Sequence, residues 1–445
     1  MNTVSVRGRG AARFTIGASA GALAAALLIA AAPAQAQDTT TASTAGTPGD
    51  TSAADQQQDI VVTGFRAALR SATAKKKNSE TVVESVSAED IGKLPDNGIG
   101  ESIARLPGIS AQRNAGRANI ISIRGFGPDF STTTLNGRQQ TTTNDSRAVE
   151  FDQYPSEILA GVDVYKTAEA DHTAGGLVGS IDLRTIRPLD VNHRVLAIGA
   201  RGTIIDERLD PNTSNKGFRA YGTYVDRFAD NRVGVALSAA YTDEPYATDD
   251  FNAWGYTGYP GGGTGMQGIK TWVETDKLKR FGGNATIEAE LDDNFTATVD
   301  AFYSHFVDRI DQRGFEMPFA CGGGCGHDSI SNTTVDSNGL VTAATVNGTP
   351  VIENYANDRV ADQYGVGWNA KWDNHEGWRA LADISWSRTD RSDDSLQTTA
   401  GLGHALPNPT ATVSYTMTPN GPQFVSDYDG ASSALVLTDV EGWSG

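Results

Sequence analysis

Cysteine is nearly absent, with 2 residues in a chain of 445. A disulfide scaffold or a multi-zinc fold needs more. Positive charge is also short. Lys plus Arg number 36 against 54 Asp plus Glu, a formal net charge of −18. Nucleic acid is therefore excluded as the main partner, because phosphate binding needs a basic face. After the N-terminus no apolar run reaches the ~20 residues that a membrane helix requires. The histidines are scattered and no His-Glu-x-x-His occurs. Gly125-Phe126-Gly127 lacks the third glycine and the strand–turn–helix setting of a dinucleotide site. These absences leave no candidate catalytic residue and imply no cofactor and no metal. A β-barrel survives them, since alternating strands hide a lipid face from average hydropathy. Length alone allows roughly three domains.

What is present begins with an address. Arg7, Arg9 and Arg13 precede an apolar run from about Ile16 to Ala32, which Pro33 breaks. Ala34-Gln35-Ala36 supplies the small-x-small pattern of a cleavage site, so residues 1–36 read as a secretory signal peptide cut after Ala36. The run is short and alanine-rich for the alternative, a membrane anchor. Residues 37–58, rich in Thr, Ala, Ser, Gly and Gln, read as a disordered linker. Asp59-Ile60-Val61-Val62-Thr63 follows within 59–66. A β-branched run at the edge of disorder can add as a strand to another sheet, or be an ordinary first strand.

Residues 67–190 have the texture of a small mixed α/β domain. Ser87-Ala88-Glu89-Asp90 fits a capping box. Asp96 or Asn97 is placed to cap a second helix whose apolar stripe is Ile99, Ile103 and Leu106, ended by Pro107-Gly108. Ile121, Ile123, Val162, Val164, Ile181 and Leu183 sit in alternating β patterns and are expected in the core.

From 191 to 445 the pattern becomes period two. Val233, Val235, Leu237, Ala239 and Tyr241 share a face, as do Phe281, Ala285, Ile287 and Leu291. Phe295, Ala297, Val299, Ala301 and Tyr303 repeat it, and so do Tyr364, Val366, Trp368, Ala370 and Trp372, and Trp378, Ala380, Ala382, Ile384 and Trp386. No charge falls on these faces, while Arg232, Glu288, Glu290, Asp300, Lys371, Arg379 and Asp383 lie opposite. A Lys or Arg in lipid costs roughly 2–4 kcal/mol at midplane, so the absence fits a lipid-facing wall. Tyr303 and Trp372 at strand ends suit interfacial girdles. Tight connections at 229–231, 292–294 and 373–377 alternate with long stretches at 243–277, 306–358 and from 389 onward, expected as loops. Short turns on one side and long loops on the other are the asymmetry of outer-membrane barrels.

The motifs then converge. Asp59 to Thr63 resembles a TonB box. Glu101-Ser102-Ile103-Ala104-Arg105-Leu106-Pro107-Gly108-Ile109, Ile121-Ser122-Ile123-Arg124-Gly125-Phe126, Leu135-Asn136-Gly137-Arg138, Val162-Asp163-Val164-Tyr165-Lys166 and Gly175 to Ile181 resemble, in order, the plug of a TonB-dependent outer-membrane receptor. Ile91 to Asn97 and Glu169-Ala170-Asp171-His172 resemble its Xanthomonas–Caulobacter-type subgroup, often tied to carbohydrate uptake. The resemblance implies a fold: a mixed α/β plug, then the N-terminal part, seven strands with an eighth near Ser433 to Val440, of an antiparallel transmembrane barrel of about 22 strands. By this reading the chain is the first part of a longer receptor. The resemblance also implies active transport of a bulky nutrient across the outer membrane, gated by the plug. The TonB energy-transducing complex is then the periplasmic partner, an extracellular nutrient the ligand, and outer-membrane lipid the surroundings. No bond is made or broken.

Substrate-contact candidates are Trp254, Tyr256, Tyr259 and Trp272, whose ring faces suit sugars, with loop packing as the plainer reading. The apex stretch Pro128 to Arg147 is polar and expected near substrate. Cys321 and Cys325 are a disulfide candidate in an oxidising compartment, against a three-ligand metal reading with His327. The alternatives to transport are a truncated, non-transporting receptor and an exported β-rich lectin or adhesin.

Overall fold

The computed structural model describes residues 72–87, 98–114, 116–167, 176–205, 213–320, 329–401, 411–419 and 421–437. The segments expected as signal peptide (1–36), linker (37–58) and TonB box (Asp59 to Thr63) lie outside them, as do Cys321, Cys325, His327, Ala88 to Asp90 and the expected caps Asp96 and Asn97.

The first body is a plug built on a five-stranded sheet. Its strands are β1 (Val83–Ser87), β4 (Ser131–Leu135), β5 (Arg138–Gln139), β6 (Leu159–Tyr165) and β7 (Gly179–Thr185), in the order β1-β6-β7-β4-β5. Only the β4–β7 pair is parallel. A hairpin of β2 (Ile109–Asn114) and β3 (Arg117–Ile123) and a helix, Ile99–Ala104, cover it. Gly98 holds the N-cap position of that helix, without a side-chain cap. Ile99 and Ile103, one turn apart, are buried with Leu106 packed beside them, which is the stripe that the spacing gives. The alternating residues Ile121, Ile123, Val162, Val164, Ile181 and Leu183 are all buried in one apolar cluster.

The second body is an antiparallel wall. It runs through β8 (Val195–Ile204), β9 (Lys216–Phe228), β10 (Val233–Ala253), β13 (Gly268–Asp292), β14 (Phe295–Pro318), β17 (Val351–Asp373), β18 (Arg379–Gly401) and the short β21 (Val436–Leu437). The two-residue β21 occupies the place expected for an eighth strand. Leu237, Phe281, Ile287, Val299, Val366, Trp368 and Trp386 are exposed on one face. Ser238, Asn284, Thr286, Glu288, Asp300 and Ser304, which alternate with them, are buried on the other, against the plug. This is the inside-out arrangement of a wall with lipid outside, and it follows from the period-two pattern.

The long stretches differ from expectation. Residues 243–253, 268–277, 306–318, 351–358 and 389–401 are strand, not loop, and pair without interruption beyond the apolar belt. A membrane strand needs only about 9–11 residues, whereas β13 has 25. Backbone pairing needs no apolar face, so the hydrophobic signal stops where lipid stops while the ladder continues. The true loops are shorter and fold on one another. They form a ribbon of β11 (Tyr256–Gly258) and β12 (Thr264–Met266) and a sheet of β15 (Ser329–Val335), β16 (Val341–Gly348), β19 (Ala411–Thr418) and β20 (Gly421–Ser426). Met317, Phe319, Val346, Val413 and Tyr415 give these loops a separate buried core.

Candidate functional site

Buried ion pairs join plug to wall. Leu135-Asn136-Gly137-Arg138 makes the two-residue turn between β4 and β5, with Asn136 and Gly137 both at positive φ. Asn-Gly is the pair that such a hairpin turn favours. The turn presents Arg138 to the wall. Its Nη1 lies 2.6 and 2.8 Å from the Asp300 carboxylate oxygens, while Nε and Nη2 each donate at 2.8 Å to Asp383. Gly367 makes room, since a Cβ there would stand 1.9 Å from the guanidinium. Asn136 also donates to Asp300 at 3.0 Å.

Arg117, nearly fully buried on β3, lies 2.7 Å from Asp276, 3.0 Å from Asp308 and 3.2 Å from Asp152, with Tyr246 beneath it at 5.0 Å from the ring centroid. Arg219 reverses the direction: it projects from the wall to Glu157 of the plug at 3.1 Å and Glu244 of the wall at 3.2 Å. Arg359 of β17 reaches Glu150 of the plug at 3.4 Å and Asp393 at 2.8 Å. Burial pushes the Asp152 carboxyl up to about 7, against Arg117 and with help from Glu150 and Asp308. Burial also raises Glu157, but Arg219 and Arg280 outweigh it and hold that carboxyl below the ordinary range. The plug's own core is apolar, whereas its seat on the wall is largely ionic and polar; the stacked pair Tyr154–Phe302, at 5.2 Å, is an apolar contact across it. Asp276, Asp300, Asp308 and Asp383 on the inward face of the wall are anchors for the plug. Their partners lie far along the chain, 162 residues apart for Arg138 and Asp300, and no local motif marks them.

The aromatic candidates are not brought to one place. Tyr259 is buried in the core of the outer sheet and its hydroxyl donates to the Met266 carbonyl at 2.5 Å. Trp254 is half-buried and packs over Gly268. Tyr256 is exposed on β11. Trp272 lines a cavity on the inward face of the extended wall. In the apex stretch, Thr141, Thr143 and Asp145 are hydrogen-bonded to Thr389 and Arg391 of β18. Among the described residues no group of three His, Cys, Asp or Glu side chains is arranged to hold a metal.

Residues 75–180 match the model of the TonB-dependent receptor plug domain. The chain therefore carries a plug domain of the TonB-dependent receptor type, followed by an antiparallel wall of strands. No curated protein matches it. Among solved structures, the siderophore receptor PirA from Acinetobacter baumannii is similar at 11% identity and a TM-score of 0.34, over 78% of this chain and 62% of that one. The ferric citrate transporter FecA is similar at 12% identity and a TM-score of 0.34, over 80% and 63%. The alcaligin receptor FauA from Bordetella pertussis is similar at 14% identity and a TM-score of 0.31, over 76% and 63%. The chain thus spans about three-fifths of the length of these structures. Within the matched plug domain the motifs become geometry: Ile121 and Ile123 are core, and the Leu135 to Arg138 turn is the anchor.

Proposed function

We propose that the chain is the plug-bearing part of an outer-membrane importer that takes up a bulky nutrient with energy from the TonB complex. The observation that carries this reading is a folded plug seated by buried ion pairs on a wall whose outer face is apolar. Such a seat closes a passage and is releasable, because water that enters replaces the lost charge contacts. Asp59 to Thr63 then pairs as a strand with the periplasmic transducer, and backbone hydrogen bonds supply that contact. The signal peptide, cut near Ala36, delivers the chain to the outer membrane.

Carbohydrate is the substrate class that we favour. On the inward wall above the plug, Glu274, Glu316 and Glu353 surround Trp272, with Lys270 as the cation that bridges Glu316 at 2.6 Å. An excess of carboxylates repels an anionic ligand and tolerates a neutral one. The test is uptake and surface binding by cells that carry the receptor with residues 59–63 deleted. Uptake should vanish while binding persists. Unchanged uptake would remove the TonB-box assignment, and binding with no uptake even by the intact receptor would select the alternative, a non-transporting binding protein.

A further inference from the structure

The outer, apolar face of the wall is not smooth. It holds an open groove of about 730 Å³, which joins a second of about 510 Å³ at Ile198, Gly222 and Ala239. Gly222, Ala239, Gly283, Ala285 and Ala301 floor it, while Leu196, Tyr224, Tyr303 and Trp386 stand at its sides. The smaller part ends at Tyr241 and Phe281, toward the extended wall. A line of rings crosses that end. Phe218 lies 5.5 Å from Tyr241, Phe281 lies 6.2 Å from Tyr303, and Tyr303 lies 5.2 Å from Tyr364, centroid to centroid. Such a line marks the level at which hydrocarbon gives way to headgroups.

The charges that follow on the outward face are sorted by strand. On β9, β13 and β14 they are Lys216, Lys277, Lys279 and Arg309, against Asp243 of β10. On β17 and β18 they are Asp358, Asp362, Asp390 and Asp394; Arg388 is held by Asp390 at 2.7 Å, and His305 of β14 is 2.9 Å from Asp362. The positive side is the one above the groove's upper end. Its cations are under-matched. Lys277 and Lys279 share the single Asp243 carboxylate, at 3.4 and 3.9 Å. Arg309, the cross-strand partner of Lys277, is 3.6 Å from Asp358. All three remain open to solvent.

Depth decides the occupant. Lys279 is two residues beyond Phe281 on β13, about 7 Å along the strand. A ligand that fits carries an apolar tail for the groove and an anion for the rim at that spacing. A second copy of the chain does not, because a two-fold interface centred on the groove would set Lys277 and Lys279 against their own counterparts. We infer that the groove and its cationic rim are a site for a phosphate-bearing membrane lipid. An acyl chain lies over Gly222, and the phosphate oxygens accept from Lys277, Lys279 and Arg309. The inference rests on the membrane reading of the apolar face and needs no nutrient and no transport.

The experiment titrates the purified full chain, in detergent micelles, with dioleoylphosphatidylglycerol. Dioleoylphosphatidylcholine, with the same chains and no net charge, is the comparison, and native mass spectrometry counts the lipid retained. Brominated forms of both lipids locate it, through the quenching lost in Trp386→Phe. The expected result is a preference of roughly tenfold or more for the anionic lipid, removed by Lys277→Gln with Lys279→Gln. Gly222→Leu should weaken retention of both lipids; a Cβ there has its nearest neighbour at 3.8 Å, so the side chain enters the groove without displacing the wall. Arg388→Gln, on the acidic side, should keep the preference, and circular dichroism checks the folding of each variant. Equal retention of the two lipids, a preference unchanged in the folded double-lysine variant, or a lipid-free dimer in the micelle would overturn the site. Retention of neither lipid by a monomer would overturn the membrane reading of the wall together with it.

Discussion

Arg117 meets carboxylates from three separate parts of the chain: Asp152 of the plug, Asp276 of β13 and Asp308 of β14. Removing one member of a buried ionic network leaves charges without compensation and typically costs about 3–5 kcal/mol. Arg117→Met should therefore loosen the plug, seen as faster proteolysis within 75–180 and a lower unfolding midpoint. Arg138→Lys should also weaken the seat, because an ammonium cannot fork to Asp300 and Asp383 together. The pH dependence has a defined sign. Asp152 is raised from its ordinary range to about 7, so between these values the folded protein holds a proton that the unfolded chain has released. Its contribution is fully present below the ordinary carboxylate range and lost as pH rises through about 7. Unfolding midpoints should fall between pH 5 and pH 8 more steeply in the parent than in Asp152→Asn; equal slopes would remove Asp152 as the source. At this scale the sequence was half legible. Leu135 to Arg138 stood out as a motif, but Asp300 and Asp383 read only as charges on the far side of strands. Which charge meets which is decided by the wall's curvature around the plug, not by neighbours in sequence.

Elements were legible where a solvent boundary wrote on them. The alternation in 281–291 is a record of lipid on one side and plug on the other, and the burial pattern of β13 repeats it. Above the belt both faces are polar, the period disappears, and the same strands looked like loops. This predicts a position effect along one wall. Ile287→Arg, in the belt, should cost roughly 2–4 kcal/mol and lower the yield of membrane-inserted, heat-modifiable protein. Val360→Arg, on the same outward face but beyond the belt, should be close to neutral. Similar losses from both would mean that the lipid boundary lies elsewhere. The tight connections were legible for a different reason. Ala229, Asp230 and Asn231 all adopt positive φ, which joins β9 to β10 in the space of a short turn. Asp and Asn tolerate that conformation, and Ala does so at a cost of roughly 1–2 kcal/mol. Ala229→Gly should raise the unfolding midpoint, offset in part by the greater freedom of glycine in the unfolded chain.

For the whole molecule, the proposed import scheme poses the question of how the plug would yield to a pull on its N-terminus. The outer sheet could not be foreseen at this scale, since Tyr259, Val346 and Val413 come from three separate connections, Met317 from the end of β14, and they show no common period. The order of release can be argued. Whole-plug departure breaks the contacts of Arg117, Arg138, Arg219 and Arg359 with their carboxylates in one step. Peeling β1 breaks less. That strand lies at the edge of the plug sheet, pairs only with β6, and spans five residues. Its buried apolar residues are Val83 and Val86. Exposing them costs roughly 1.5–3 kcal/mol each, to which are added the Ser85–Asp163 hydrogen bond at 2.7 Å and one buried ion pair, Glu84–Lys166 at 3.4 Å, against the four arginine anchors of the whole plug. Force applied N-terminal to Val83 should therefore strip β1 first and leave the ionic seat for later. The pair Ser85→Cys with Asp163→Cys, directly opposite in register, tests this order. Oxidised, it should block uptake while sparing surface binding of the nutrient, and reduction should restore uptake. Full uptake with the bridge demonstrably closed would mean that the plug leaves the wall as one body. Arg117 and Arg138 would then set the force required, and Arg117→Met should speed transport rather than merely soften the fold.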